Sequence, residues 1–182
     1  MIITPDELRS VALVPVNTAI DHSFESHPTQ YESFAHFSMI LMEEIEELWN
    51  AIKFQTTTEQ WWEAAQVASC AARALFPDRS LCSFDEVWGI LTKPRRVSHH
   101  PAFLMTSSEM RLKERFAVLR LYWKRLEREL DDISLFRRPF MLTNVDTVQG
   151  VFIGASFILH HHKPSVVSDR RIVTHHTVKG AA

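Results

Sequence analysis

Apolar residues recur at three- and four-residue steps along most of this chain, the spacing of helices that bury one stripe. The clearest run is Phe34, Phe37, Leu41, Ile45, Leu48 and Ile52, which predicts a long helix from about Thr29 to Phe54. Pro28 sets its entry, because the residue before a proline avoids helical backbone. Upstream, Thr4-Pro5-Asp6-Glu7 reads as a helix start: a threonine cap, proline at the first position and glutamate three residues after the cap. That helix is expected to be short and to stop before Pro15, leaving 16–27 as a polar loop. Gln55-Thr56-Thr57-Thr58 interrupts the long helix, and Thr56 with Glu59 makes a second capping box, so a new helix is expected from about Thr57 to the Phe76-Pro77-Asp78 break. Ser83 with Glu86 starts a short helix over Phe84–Leu91, and Thr106 with Glu109 boxes the next. There Leu112, Phe116, Leu119, Trp123, Leu126, Leu130 and Ile133 alternate steps of four and three, a heptad-like seam. The basic residues between them, Arg115 among them, are expected to be mostly solvated. A last helix is expected over Asp146–His160, where Gly150 and Gly154 would permit close packing against a neighbour.

The pattern predicts an all-α protein, a helical bundle of about four to five helices built on an antiparallel acidic helix pair and followed by a basic C-terminal tail. It divides into a helical core at 1–92, a basic linker at 93–107, further bundle or oligomerisation helices at 108–162 and a flexible tail at 163–182. With 182 residues, 46% hydrophobic, the chain can bury a sizeable core, and only 4 Gly and 8 Pro argue against a loop-rich or all-β protein. A formal charge of -2 argues against a nucleic-acid binder and a polybasic membrane binder. The apolar run Val151–Leu159 is too short to cross a membrane. Cys70 and Cys82 form no disulfide framework or metal pair by spacing; together with the lack of a visible signal peptide they fit a reducing cytoplasm, with Cys70 as a small core residue.

The candidate chemistry lies on the acidic pair. Glu43, Glu44, Glu46 and Glu47 occupy four of five positions, and Glu44 and Glu47, three apart, share a helix face. Glu63 and Gln66 have the same spacing on the following helix, and antiparallel packing would bring the two faces together. Carboxylates so gathered repel one another unless a cation lies between them, and oxygen ligands suit Mg²⁺, which keeps some of its waters and favours phosphate-bearing partners. Spacing alone leaves two readings, a Mg²⁺ site for a nucleotide or a solvated acidic face. His36 could touch a base or a phosphate, or be a half-buried, hydrogen-bonded histidine. Trp61 could stack on a base or cover the rim of the core above Trp62. Arg73 could bind phosphate or pair with Glu63 or Glu47. Arg95 and Arg96 in the basic linker, and Arg120 and Lys124 on the seam helix, are further candidates for a polyphosphate. Three consecutive histidines at 160–162 cannot all face one ion on a helix, so the His-rich tail reads as a partner-binding or disordered segment.

EExxEL at 43–48 followed, after a short turn, by ExxQVAxxAxRAL at 63–75 resembles the MazG-like branch of the all-α nucleotide pyrophosphohydrolases, over roughly residues 28–76. The resemblance implies hydrolysis of a nucleoside triphosphate to the monophosphate and pyrophosphate, dependent on Mg²⁺, with Mn²⁺ as a possible substitute. It implies a homodimer or homotetramer. That family holds its metal with ExxE on one helix and ExxD on the next, which maps the ligands onto Glu44, Glu47 and Glu63. Gln66 stands where the family has aspartate and would be a weak ligand, or one step removed from the metal. Glu43 or Glu46 would orient the attacking water as a general base, and Lys53, Arg73 and the Arg95–Arg96 loop would contact phosphates. The other reading is a non-catalytic relative, a scaffold that binds a protein or a nucleotide; Gln66 is its best support.

Overall fold

The computed structural model describes residues 3–92, 109–130 and 145–161. Their regular structure is helical: α1 (Pro5–Ser26), α2 (Phe34–Phe54), α3 (Thr57–Leu75), α4 (Phe84–Thr92), α5 (Leu112–Leu130) and α6 (Val145–His161). The all-α expectation holds, with six helices among the described residues rather than four to five. The linker at 93–107, with Arg95 and Arg96, and the tail at 163–182 lie outside the described residues.

α1 corrects the first expectation. It begins as predicted, with the Thr4 side chain accepting from Glu7 N–H and the Glu7 carboxylate accepting from Thr4 N–H, but it runs straight through Pro15. An interior proline costs about 3 kcal/mol through a lost hydrogen bond and a steric clash. Burial outweighs that cost here, because Leu8, Ala12, Val16, Ala19 and Ile20 form one continuous buried stripe on both sides of it. α2 starts later than the periodicity suggested, at Phe34, capped by Ser33, whose hydroxyl accepts from His36 N–H at 3.1 Å. α5 begins at Leu112, where the Glu114 carboxylate accepts from Arg111 N–H at 2.7 Å; Thr106 and the box expected there lie outside the described residues. The box at Thr56 and the Ser83 cap are where the sequence places them.

α3 is the packing hub, against α1, α2 and α6, and α6 in turn carries α5. Both inner helices are built for that place. Alanines 64, 65, 68, 71, 72 and 74 let three neighbours approach α3, and α6 is apolar nearly all round, which only an interior helix tolerates. α4 is strapped to α1: Asn17 Oδ1 accepts from Phe84 N–H at 2.8 Å, and Arg9 pairs with Asp85 at 2.8 Å. One cluster of buried apolar residues runs from Ile3 to Leu159. Arg115 departs from the solvated role expected of it: it is 2% exposed, its Nη1 donating to Phe157 O at 2.7 Å near the C-terminal end of α6. No described helix is long and apolar enough to cross a membrane.

Candidate functional site

The two-residue connection Gln55-Thr56 folds α3 back along α2. Glu47 and Glu63 then lie about two helical turns from the connection on either side, and Glu44 and Gln66 about three. That register, set by the turn, brings the acidic faces together. One carboxylate oxygen each from Glu44, Glu47 and Glu63 lies within 4.8 Å of the other two. Glu63 is buried, Glu44 half-buried and Glu47 exposed, so the cluster opens to solvent along one edge. Gln66 Nε2 donates to Glu63 Oε2 at 2.7 Å. Glu44 Oε2 is buried with no hydrogen-bond partner. Burial first, then the charges of Glu63, Glu47 and Glu43, push the Glu44 carboxyl up to about 8.

The arrangement has two chemical resolutions: a proton on Glu44, or a hard cation among the three carboxylates. The donor set suits the second, since it is all oxygen, largely anionic, open on one side and includes a buried oxygen without a donor.

No family model, curated protein or solved structure matches the chain.

Around the carboxylates the structure adds two residues that the sequence reading left out of the site. The Tyr31 phenol and the Cys70 thiol are buried next to each other and within electrostatic reach of Glu44; burial pushes the thiol up to about 12 and the phenol well above its ordinary range. Cys70 is the small core residue expected. Tyr31 lies in the segment before α2, where no periodicity marks a buried position. His36 is half-buried on the same flank of α2 as Glu43 and Glu47, about two turns nearer the N-terminus. Its Nδ1 accepts from Glu32 N–H at 3.3 Å, which leaves Nε2 as the ring's donor.

Other candidates stand elsewhere. Arg73 meets neither Glu63 nor Glu47. It is 4% exposed and donates to Ser23 O, His27 O and Thr29 O at the end of α1, at 3.1, 2.8 and 2.9 Å. Trp61 is 7% exposed, a core residue like Trp62 rather than a rim, with too little free face to stack on a base. Glu46 lies about 100° round α2 from Glu47, on the side facing α5. There, with Trp49, Phe116, Arg120 and Lys124, it lines a groove of about 370 Å³. Trp49 stacks on Phe116 at 4.7 Å in that groove, and Lys53 Nζ lies 5.3 Å from the Trp49 ring. Glu46, Lys53, Arg120 and Lys124 therefore cluster on the opposite flank of α2 from Glu44, while Glu43 sits beside Glu47 on the open edge.

Proposed function

We propose that the α2–α3 carboxylates are the centre of a magnesium-dependent nucleoside triphosphate pyrophosphohydrolase, which releases pyrophosphate and leaves the monophosphate. The observation that carries the reading is the meeting of Glu44, Glu47 and Glu63 within 4.8 Å around a buried, unpartnered Glu44 oxygen. The ExxE…ExxQVA resemblance supplies the reaction class. Glu44, Glu47 and Glu63 would hold Mg²⁺ or Mn²⁺. When bound, the ion neutralises phosphate charge and makes a water more acidic. Glu43, exposed beside Glu47, accepts the proton of the attacking water on its carboxylate. His36 offers its Nε2–H to a base or phosphate along the same flank. The open edge beside Glu47 admits the triphosphate, and buried Tyr31 and Cys70 exclude water from behind Glu44. Assembly as a homodimer or homotetramer belongs to the same reading and rests on the resemblance.

Gln66 favours a second reading, a nucleotide- or protein-binding module that keeps the helix pair as scaffold, because the fourth position of the cluster carries an uncharged amide occupied with Glu63. Pyrophosphate release from a panel of ribo- and deoxyribonucleoside triphosphates, with Mg²⁺ and with Mn²⁺, separates the two. The enzyme reading expects release that disappears in Glu44→Gln. No release from any nucleotide, with no rise in Tm on adding Mn²⁺ and nucleotide, leaves the binding module.

A further inference from the structure

We propose that Gln66 is a positioning residue: its amide holds the Glu63 carboxylate toward Glu44 and Glu47 and keeps the cluster at three carboxylates, so that the site takes one divalent cation. The inference rests on the metal reading above and concerns a residue at which this chain departs from the family it resembles. Gln66 and Glu63 are three apart on α3, so the helix itself sets the pair side by side. A carboxylate oxygen only accepts, so Gln66 must present its nitrogen, as the 2.7 Å contact to Glu63 Oε2 has it. Glu63 is 8% exposed, so water has little access to replace that donor. The hydrogen bond holds Glu63 Oε2 and so limits the rotation of the carboxylate, one oxygen of which lies within 4.8 Å of oxygens of Glu44 and Glu47. By the register of the hairpin, position 66 lies opposite Glu44. A carboxylate at 66 would set a fourth negative charge against both Glu63 and Glu44 in a largely buried corner, and a single divalent ion would leave two of those charges unbalanced. With an amide there, one ion leaves a single negative charge, which the open edge beside Glu47 can solvate.

The test uses the full chain stripped with EDTA and titrated with Mn²⁺, the free ion being followed by its electron paramagnetic resonance signal. Wild type is expected to bind one ion per chain. Gln66→Met keeps the length and apolar stem but removes the donor. It is expected to weaken Mn²⁺ binding about tenfold or more, the usual consequence of losing a partner that orients a metal ligand, and to lower the Tm in EDTA, since a buried Glu63 oxygen loses its donor. Gln66→Glu is expected to lower the Tm in EDTA and to bind more than one Mn²⁺ per chain. If Gln66→Met does not fold, Gln66→Asn, one methylene short of Glu63, carries the same expectation. Mn²⁺ affinity in the donor-less variant less than about tenfold weaker than wild type overturns the positioning role. Two ions in wild type, or a single ion in Gln66→Glu, overturns the charge role. Failure of the underlying metal reading gives a different result, with wild type binding no more Mn²⁺ than Glu44→Gln.

Discussion

Glu44 is the residue whose chemistry depends most on its neighbours. In the folded, metal-free chain its carboxyl titrates near 8, raised by burial and by three other glutamates, while in the unfolded chain it returns to about 4.5. The folded state therefore keeps a proton that the unfolded state gives up. Its stability is full below the unfolded value and is lost as pH rises toward about 8, by at most about 1.4 kcal/mol per pH unit. Melting in EDTA across pH 5 to 9 is expected to show that fall, and Glu44→Gln, which fixes the neutral form, is expected to flatten it. Mg²⁺ should oppose the fall in wild type, since the ion replaces the proton, and should leave Glu44→Gln unmoved. A wild-type profile indistinguishable from that of the variant would mean that Glu44 is ordinarily solvated.

Between elements, α5 and α6 approach closely at two glycines. A Cβ at Gly150 would overlap the Tyr122 ring, and one at Gly154 would sit 3.0 Å from Leu119 Cα, so the two glycines let the helices meet backbone to side chain. Tyr122 is 2% exposed and has no room to swing away. Gly150→Ala is expected to destabilise by roughly 1–3 kcal/mol despite its gain in helix propensity, as overpacking of a filled interior does. Gly89 in α4 is the control: a Cβ there meets nothing within 4 Å, so Gly89→Ala is expected to stabilise by up to about 1 kcal/mol. Urea unfolding of the two variants gives opposite shifts if packing, rather than glycine flexibility, decides.

For the whole molecule, Arg73 joins parts of the chain more than 40 residues apart. The last turn of α1 has no basic residue of its own, and Arg73 of α3 brings a positive charge and forked donors to the carbonyls there, its guanidinium 4.5 Å from the Phe24 ring centre. Arg115 gives α6 the same service. Replacing Arg73 by Met would take the Arg73 donor from the His27 and Thr29 carbonyls, while Ser23 O keeps the His27 N–H, and would bury an apolar side chain against them, with an expected loss of about 2 kcal/mol or more in denaturant unfolding. Lys in its place is expected to recover only part, because an ammonium cannot span the three acceptors. Since Arg73 also faces Tyr31 at 5.2 Å, beside the carboxylates, either substitution should weaken Mn²⁺ binding along with stability.

What was local was legible in the sequence. The capping boxes at Thr4 and Thr56, the stripe of α2 and the two-residue connection to α3 follow from side chains acting within a few residues of themselves. That connection fixes a register, so the meeting of Glu44, Glu47 and Glu63 could be anticipated from spacing alone. The outcomes that spacing left open were decided by contacts distant in the chain. Pro15 stays helical because a buried stripe compensates for it. Arg73 and Arg115 went to helix ends because the carbonyls there carry partial negative charge, which a guanidinium fork answers. Glu46, Arg120 and Lys124 turned toward one another and away from Glu44 because α5 packs on the other flank of α2. Patterning reports which face of a helix is buried; only the assembled bundle decides which neighbour covers it, and with that which polar groups share a site.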